Sequence, residues 1–568
     1  MKISTRKSCI ILIVIVALSH HRQVARACDT WVALPDATSS GCTLLGKNSD
    51  RTNFDCQPLF LHPRVQWPAG SQIDLGRITI PQVEETFATL GSSPYWCWGY
   101  EEGINEHGVA IGNEGIRTKV FTELLAAQAR GEEPAPGPTG MDLIRLGLER
   151  GRTARESVDA ITRLVEKYGQ FGSGLPSMTA ALGGYDNSYI IADSREAWVL
   201  ETGGNHWVAR RISQGTTSIS NTLSIERDFD LTSEGLVNYA VEKGWWPSDK
   251  AAAFDFTKAY LDDSPTGSGQ RKLSLPRARC SSALLSDKKG NITLRWMMGI
   301  ARNRTSEPTI DRDNTASSCV AVLPTGDDGI PVFWWCPSVP SNSCYIPFFV
   351  HGKELPKLIS HAGTFGRKIT PPSQAVADQF SEDSFWWRFR DLSDKVRASY
   401  SKRSAVVRAA FDPLEKDFEA KLPAVTGRAL SLRKQGRMDE AAGVLDAFTA
   451  ACFNQVLKTA DALRRRFAEE VVEVPEKYKP YVGKYLANFG PFKNVEYTVV
   501  MQNDRLAVDV PGQRIYELKD PDAKGKRYFV LTDQIAVSFD RNDSNQVKGM
   551  SLYQAGMTFT LPRMADKE

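Results

Sequence analysis

Cys28 is the residue of this chain whose position most clearly favours chemistry. It follows Ala25-Arg26-Ala27, and small residues at the third and first positions before a residue are typical of an export-signal cleavage site. Cleavage there would make Cys28 the first residue of the mature chain and give one residue both a thiol and an α-amine. The ordinary pKa values of these groups are about 8.5 and about 7.7–8.0, so the amine can take the thiol proton near neutral pH. The thiolate can then attack an amide carbonyl, and the ammonium can return its proton to the leaving nitrogen.

The segment before Cys28 has the parts of an export signal. Lys2, Arg6 and Lys7 give it a basic start, and an apolar run covers residues 10–18. That run has about half of the ~20 residues that span a bilayer, and no later stretch of sequence is long enough. We therefore predict that residues 1–27 are a signal peptide and that the mature protein is secreted or periplasmic, outside any membrane. An uncleaved anchor and a lipid attached to Cys28 are the alternatives.

Export would expose the cysteines to an oxidising compartment. Apart from Cys9 in the leader and Cys28, an even set remains, which predicts disulfides. We expect four disulfides, with Cys336–Cys344 as a candidate local pair and Cys28 as the one free thiol. The sequence has no tight Cys-x-x-Cys pair, so zinc is not expected, and no other metal or cofactor is predicted. The eight cysteines are Cys42, Cys56, Cys97, Cys280, Cys319, Cys336, Cys344 and Cys452.

The composition and net charge of the chain limit the kinds of partner that it is expected to bind. With 568 residues, 42% of them hydrophobic and 24% charged, the chain is typical of a soluble globular protein of two to four domains. The net charge of +3 comes with no clustered basic stripe, so nucleic-acid binding is not expected. The oligomeric state stays open, a homo-oligomer included.

From Cys28 to about residue 370, strand-like and helix-like segments alternate, which predicts an α+β layered domain. Thr153 to Glu156 has the form of a capping box for a helix that Gly169 ends. Its apolar face is predicted to hold Val158, Ile161, Val165 and Tyr168. Strands are predicted over residues 30–34, 43–46, 187–192, 197–202 and 320–323.

Two further regions follow this domain. Residues 371–471 are rich in Ala, Leu, Arg, Lys and Glu and read as mostly helical. Residues 472–568 alternate apolar and polar positions between turn signals, which predicts a small all-β domain, a meander or a barrel. The predicted domains of the mature chain are therefore 28–370, 371–471 and 472–568.

Several ordered blocks of residues 28–470 resemble the secernin and dipeptidase family of cysteine N-terminal-nucleophile (Ntn) hydrolases. The resemblance implies an αββα sandwich with the nucleophile, here Cys28, at the start of a central strand. The last hundred residues lie outside it and are similar to a small β-barrel-like domain appended to some secreted bacterial hydrolases. The blocks are 28–35, 46–51, 103–114, 140–150, 187–188, 197–202, 219–221 and 384–387.

The resemblance also implies roles for four other residues. Asp50 matches an acidic residue that holds the N-terminal amine in related Ntn hydrolases. Lys47 stands where bile-salt-hydrolase and penicillin-acylase relatives carry an arginine near the thiol, where a cation lowers the thiol pKa. Asn113 and Asn221 match asparagines that donate to the oxyanion or orient the amine. The plain alternatives are a turn carboxylate, a surface lysine and turn asparagines.

The leading hypothesis is a secreted cysteine dipeptidase that hydrolyses short peptides through a Cys28 thioester. A substrate amine would then need a carboxylate such as Asp142, Glu114 or Glu201. One alternative is an acyl-amide hydrolase acting on N-acyl amino acids, and another is a non-catalytic secreted binding protein of the secernin type. His107 lies in an Asn-Glu-His-Gly turn and is interpreted as structural, since an Ntn enzyme needs no histidine base.

Overall fold

The computed structural model describes residues 28–305, 309–326, 329–490, 492–511, 515–530 and 532–565. The predicted signal peptide, residues 1–27, lies outside the described residues. The described chain divides into two compact units. The larger runs up to Arg390 and includes Ala410–Asp461, and the smaller holds Asp391–Ala409 and the residues from Ala462 onward.

The larger unit alternates strands and helices. Its helices, α1 to α8, are Lys119–Ala129, Gly140–Arg150, Ala154–Tyr168, Ala180–Gly183, Leu236–Glu242, Phe256–Tyr260, Pro265–Asp287 and Leu294–Ala301. Its strands, β1 to β18, are Asp29–Ala33, Thr43–Asp50, Leu59–His62, Val65–Gln66, Gln72–Asp74, Thr79–Pro81, Glu85–Thr86, Thr89–Ser92, Glu102–Asn105, Ala110–Ile116, Asp186–Ala192, Ala197–Gly203, His206–Ile212, Thr216–Ser220, Leu231–Thr232, Thr315–Leu323, Val332–Pro337 and Ile346–Phe348.

One antiparallel sheet has six strands in the order β14-β1-β2-β16-β17-β18. Strand β2 is buried along its whole length, although its second half, Lys47 to Asp50, is polar. Its first half packs tightly, because a Cβ on Gly46 would stand 2.5 Å from the indole of Trp31. The polar half of β2 is therefore held inside the protein, beside the start of β1, and it carries two of the predicted site residues.

A second antiparallel sheet has eight strands in the order β15-β13-β12-β11-β10-β9-β8-β3. Helices α2 and α3 pack on this sheet. Helix α2 begins at a complete capping box, in which Thr139 Oγ1 accepts from Asp142 N and an Asp142 oxygen accepts from Thr139 N. The apolar faces of the two helices and of the sheet form one core, which includes Val109, Ile111, Leu143, Leu146, Val158, Ile161, Tyr189 and Leu200.

The two sheets and their helices form four layers. Helix α7 packs on β1 and β14, and α8 packs on β2 and β16. Strand β1 contacts β10 and β11 of the eight-stranded sheet, so the two sheets face each other between the helical layers. The predicted αββα sandwich is therefore confirmed.

Helix α3 is the helix predicted after Thr153, and it ends as predicted at Gly169, whose φ is 63°. Thr153 Oγ1 accepts from Glu156 N at 3.1 Å. The Glu156 carboxylate, however, accepts from Arg152 N and not from Thr153 N, so the capping box is only half formed. The hydroxyl cap and the positive-φ glycine suffice to define both ends of this helix.

The predicted helical segment is confirmed and is shared between the two units. It consists of α9, Phe385–Arg397, α10, Tyr400–Lys434, and α11, Met438–Glu469. In the larger unit, the indole of Trp386 is buried and donates to the main-chain oxygen of Ala316, in β16, at 2.6 Å.

The predicted all-β domain is a barrel. Main-chain bonds join its two four-stranded antiparallel sheets at both edges: Lys519 N donates to Tyr528 O at 2.7 Å, and Met564 N to Lys484 O at 2.8 Å. The interior is apolar, with Tyr485, Val499, Leu506, Val537 and Leu561 all buried. The strands, β19 to β26, are Gly483–Phe489, Phe492–Gln502, Arg505–Asp509, Ile515–Glu517, Arg527–Phe529, Thr532–Arg541, Val547–Gln554 and Met557–Pro562.

The structure does not contain the four disulfides that the even cysteine count predicts. Besides Cys28, six cysteines are free thiols: Cys42, Cys56, Cys97, Cys280, Cys319 and Cys452. They lie on separate elements against different polar groups, as when Cys97 Sγ donates to Asp142 Oδ1 at 3.8 Å and Cys280 Sγ to Asn303 Oδ1 at 3.7 Å. An even count therefore did not predict which thiols the fold brings together.

Neither a membrane span nor a metal cluster is found in the part of the chain that the structure describes. There, no helix combines the length and the apolar character needed to cross a bilayer. Nor do three or more His, Cys, Asp or Glu side chains gather there as a metal site would require.

Candidate active site

Cys28 lies immediately before β1 and between two neighbouring strands. The register of β1 pairs Asp29 with Asn48 on one side and with Ser220 on the other. The end of β2 and the residue after β14 therefore flank Cys28. Its side chain is 7% exposed, and its Sγ accepts a hydrogen bond from Asp50 N at 3.2 Å. The thiol is thus buried and held in place at the edge of the six-stranded sheet where β1 begins.

The surroundings of Cys28 keep its thiol protonated at rest. Burial raises the pKa of the thiol, the Lys47 cation lowers it, and the carboxylates of Glu101 and Asp50 raise it, with a net upward shift. Formation of a thiolate therefore requires a base close by and a retained cation.

Lys47 is that cation, and it is fully buried. Its Nζ donates to Asn113 Oδ1 at 3.0 Å and also to Asn113 O, and it forms an ion pair with Glu101 Oε2 at 3.4 Å. Burial alone would lower the pKa of Lys47. The interactions with Glu101, Cys28 and Glu114 raise this pKa by more than burial lowers it, so the amine stays protonated. The surface-lysine alternative is wrong for this position.

Asp50 is held at both carboxylate oxygens. Thr315 Oγ1 donates to Asp50 Oδ1 at 2.7 Å, and Arg312 Nε lies 3.3 Å from Asp50 Oδ2. Burial raises the pKa of Asp50 to about 6, although Arg312 and Thr315 lower it. Near neutral pH this carboxyl is therefore mostly an anion, with its orientation fixed beside the start of the chain's first strand.

Asn113 lies in the middle of β10 and Asn221 directly follows β14, and both line the same cavity. Asn113 Nδ2 donates to Asn187 Oδ1 at 2.8 Å, and Asn221 Nδ2 donates to Gly115 O at 2.9 Å. A side-chain amide has two N–H donors, so each amide keeps a second donor for a group in the cavity.

The cavity at Cys28 has a volume of about 280 Å³, measured to its open mouth. Four of the five predicted site residues line it, and the fifth, Lys47, bonds to the lining residue Asn113. The structure therefore brings all five predicted residues together. The lining residues are Cys28, Asp50, Arg51, Glu101, Asn113, Gly115, Leu175, Tyr185 and Asn221.

Sequence reasoning missed the ion pair in the wall of this cavity. Arg51 donates to Glu101 Oε1 at 2.7 Å, to Asp55 Oδ2 at 2.7 Å and to Gly174 O at 3.0 Å. Two adjacent glutamates, Glu101 and Glu102, stand in a stretch that is otherwise mostly aromatic and apolar. That contrast is the only signal in the sequence that could have identified Glu101.

Arg277 on helix α7 was also missed. It is fully buried and donates to Cys28 O at 3.3 Å, to Asp29 Oδ2 at 2.7 Å and to Asn221 Oδ1 at 3.0 Å. One guanidinium thus ties the main chain of Cys28 to the amide of Asn221. No local pattern around Arg277 predicts this role, because its partners are more than 50 residues away in sequence.

Two of the acids considered as substrate ligands have structural partners. Asp142 caps helix α2 through Thr139. The Glu201 carboxylate accepts from Ser224 N at 2.8 Å, from Ser224 Oγ at 2.7 Å and from Ile225 N at 3.1 Å. Neither acid lines the cavity.

Glu114 and His107 lie outside the cavity lining as well. Glu114 Oε1 accepts from Thr30 Oγ1 at 2.7 Å between the two sheets, and burial raises the pKa of Glu114 to about 8 although Lys47 lowers it. The ring of His107 packs edge-on against Phe87 at 4.5 Å between centroids, which agrees with a structural role.

Comparison with known proteins identifies a family whose profile matches part of the chain. Residues 27–291 match the profile of peptidase family C69. The chain is 30% identical over 223 residues to a dipeptidase of Bifidobacterium longum (strain NCC 2705), covering 36% of this chain and 39% of that one. It is 28% identical over 202 residues to the probable dipeptidase A of Streptococcus pyogenes serotype M3 (strain SSI-1), covering 33% and 38%. The chain thus spans about two fifths of the length of each relative.

Among solved structures, the chain is similar to a mutant of the conjugated bile acid hydrolase from Clostridium perfringens. The identity is 14% and the TM-score 0.30, over 57% of this chain and 95% of that one. The predicted family is confirmed by the family profile and the two dipeptidase matches. By its residues 27–291, which carry Cys28 and the other four predicted site residues, this chain resembles peptidase family C69.

Proposed function

We propose that cleavage before Cys28 produces a secreted or periplasmic cysteine peptidase that hydrolyses short peptides. The observation that carries this proposal is the convergence of Cys28, Asp50, Asn113 and Asn221 on one cavity, with Lys47 bonded to its wall. The two relatives named as dipeptidases support the same substrate class.

The first half of the reaction forms a thioester. The α-amine of Cys28 takes the thiol proton, and the sulfur attacks the peptide carbonyl carbon, so that a C–S bond forms and the carbonyl oxygen becomes an oxyanion. The amides of Asn113 and Asn221 donate to that oxyanion. When the tetrahedral intermediate collapses, the C–N bond breaks and the ammonium gives its proton to the leaving amine.

The second half of the reaction regenerates the thiol. The α-amine takes a proton from water, and the oxygen of that water attacks the thioester carbonyl. The C–S bond then breaks, the carboxylic acid leaves, and the ammonium returns its proton to the sulfur. One amine thus serves as base and acid twice in each turnover.

The charged neighbours of Cys28 stabilise the charges of these steps. Lys47 favours the thiolate, since a nearby cation lowers a thiol pKa. Asp50 favours the ammonium, and its pKa of about 6 keeps it an anion at neutral pH. The thiolate and ammonium therefore each face a charge of opposite sign while the proton is transferred.

The test is substitution of the nucleophile in secreted protein assayed against dipeptides and N-acyl amino acids. Cys28→Ala is expected to lower kcat/KM at least about 1,000-fold with the fold retained, because no other thiol lines the cavity. Cys28→Ser is expected to keep little activity, since a hydroxyl is much harder to deprotonate. Cys42→Ala removes a more exposed thiol and is expected to keep full activity.

Three results would count against the proposal. Equal activity in Cys28→Ala and wild type would remove Cys28 as the nucleophile. Active protein whose chain starts elsewhere than at Cys28 would remove the amine base. Absence of turnover on both substrate classes would instead favour a non-catalytic binding protein.

A further inference from the structure

The cavity at Cys28 holds two carboxylates with different partners. Asp50 is fixed by Thr315 and Arg312, beside the residue whose α-amine acts in the proposed reaction. Glu101 is on the cavity wall, 3% exposed, and its Oε1 accepts from Arg51 at 2.7 Å. Its Oε2 has a longer contact, 3.4 Å, with Lys47 Nζ. A carboxylate oxygen accepts at two lone-pair positions, so Oε2 can take another donor from the cavity.

A dipeptide with a free N terminus brings such a donor. Its α-ammonium is two bonds from the carbonyl carbon that the Cys28 sulfur attacks, so it must lie within the cavity during attack. An ammonium taken out of water requires an anionic acceptor, because an unpaired buried charge is strongly disfavoured. Asp142, Glu114 and Glu201 do not line the cavity, and Asp50 serves the amine of Cys28 in the proposed reaction.

We propose that Glu101 binds the α-ammonium of the substrate's N-terminal residue, which makes the enzyme specific for peptides with a free N terminus. This inference rests on the proposed function and adds to it the feature of the substrate that is recognised. Glu101 is a binding residue in this account, while Cys28 and its amine carry out the chemistry.

The wall around Glu101 is built to keep the carboxylate in one orientation. Arg51 holds Oε1, and Arg51 is itself held by Asp55 and by the carbonyl of Gly174. All of these groups are buried or lie in the cavity wall. A preorganised acceptor loses little entropy when the ammonium binds, and its hydrogen bond to a charged donor is stronger than one between neutral groups.

An N-acyl substrate without the ammonium leaves the second acceptor position of Glu101 Oε2 without a donor. A site built to bind a polar substrate group discriminates strongly against an analogue that lacks the group, because the buried partner then has nothing in place of water. We expect discrimination of about 100-fold or more in kcat/KM between a dipeptide and the same compound with hydrogen in place of the α-ammonium.

The experiment compares Ala-Ala with N-propionyl-Ala, and Leu-Ala and Met-Ala with their matching desamino compounds, by the release of alanine. Wild type is expected to prefer the free dipeptides about 100-fold or more. Glu101→Gln is expected to reduce this ratio to within about tenfold by slowing the dipeptides, mainly through a higher KM. Glu101→Asp keeps the charge and is expected to restore part of the preference.

Glu102→Gln is the matched control. Glu102 is the next residue, equally buried, but it bonds Gln57 and Ser317 and does not line the cavity. For Glu102→Gln, the ratio of kcat/KM on dipeptides to kcat/KM on the desamino compounds is expected to stay as in wild type. Because the wild-type ratio is measured first, the proposal stays testable even if a Glu101 variant folds poorly.

The outcomes separate this proposal from the proposed function. Cys28-dependent hydrolysis that is as fast on the desamino compounds overturns the role of Glu101 but keeps the cysteine mechanism. Equal slowing of both substrate classes by Glu101→Gln also overturns it, since a purely structural role through Lys47 and Arg51 predicts that result. Absence of Cys28-dependent turnover on every compound overturns both proposals.

Discussion

Lys47, Glu101 and Glu114 lie in the buried layer next to Cys28, and Lys47 and Glu114 shift each other's pKa. Lys47 pairs with Glu101 at 3.4 Å, while Glu114 accepts its one direct bond from Thr30, at 2.7 Å. Burial raises the pKa of Glu114 from its ordinary value of 4.5 to about 8. At the scale of single residues, the site thus keeps the Glu114 carboxyl mostly protonated at neutral pH.

This difference predicts how Glu114→Gln changes stability with pH. Between about pH 4.5 and 8 the folded state holds a proton on Glu114 that the unfolded state has lost, so wild-type stability falls as the pH rises. Glutamine removes this fall without changing the shape of the side chain. The free energy of unfolding of the variant relative to wild type is therefore expected to increase from pH 5 to pH 8, as measured by urea unfolding.

Glu84→Gln is the control for that measurement, because Glu84 is exposed. Its stability relative to wild type is expected to be nearly the same at both pH values. A Glu114→Gln variant whose relative stability is constant from pH 5 to pH 8 would contradict the raised pKa of Glu114.

At the scale of elements, the start of β1 is positioned by three neighbours. Strands β2 and β14 pair with it on either side, and helix α7 packs on β1 and β14 from outside. Arg277 on α7 reaches Cys28 O, Asp29 Oδ2 and Asn221 Oδ1. The helix thus fixes together the main chain of Cys28, the proposed nucleophile, and Asn221, the proposed oxyanion donor.

Arg277→Lys is expected to lower kcat about 10- to 100-fold with a smaller change in KM. Lysine keeps the charge but lacks the planar fork that serves several acceptors at once, so Asn221 loses its fixed orientation. An effect on the oxyanion donor is felt in the transition state more than in substrate binding. Steady-state kinetics on a dipeptide measures the change.

Arg279→Lys is the matched control on the same helix, since Arg279 is exposed. It is expected to keep wild-type kinetics. If Arg277→Lys also has wild-type kinetics, Arg277 does not position Cys28 and Asn221 for the reaction.

Local elements were predictable where a short pattern determines them. The hydroxyl of Thr153 and the positive φ of Gly169 define both ends of α3, and the sequence carries both signals. The role of the Glu156 side chain was not predictable, because its carboxylate could reach either Arg152 N or Thr153 N. Such choices depend on the final geometry of a turn.

The site was predictable only in part, because some of its residues stand in local motifs while others depend on partners that are distant in sequence. Cys28, Asp50 and the asparagines stand in motifs that the family resemblance covers. Glu101 and Arg277 act through partners distant in sequence, and Glu101 reaches Arg51 from 50 residues away. The sequence could not distinguish among Asp142, Glu114 and Glu201 as substrate ligands, because the partners of Asp142 at a helix start and of Glu201 in a loop are revealed only by the fold.

At the scale of the whole molecule, the cysteines are spread through the larger unit without forming the expected pairs. Seven cysteines, Cys28 and six others, are free thiols, and five of these seven are buried. An even number of cysteines makes disulfides plausible in an exported protein, but pairing also requires Cα atoms within about 7 Å and suitable Cβ directions.

The unreduced, denatured protein is therefore expected to titrate at least seven thiols, those of Cys28 and of the six others. Native protein is expected to react first at the more exposed Cys42 and Cys280. A thiol-reactive chromophore measures both counts. A single thiol under denaturing conditions would show instead that the eight remaining cysteines form four disulfides.

The central claim is that a sulfur and an amine on the same residue carry out the hydrolysis. Peptide mapping by mass spectrometry of secreted, active enzyme, acid-quenched during turnover of a dipeptide, tests it most directly. We expect an N-terminal peptide that begins at Cys28 and carries the mass of the substrate's acyl group on its sulfur, and the same peptide without that mass when substrate is omitted. An acyl group found on another residue, or active enzyme whose Cys28 still bears the preceding segment, would contradict it.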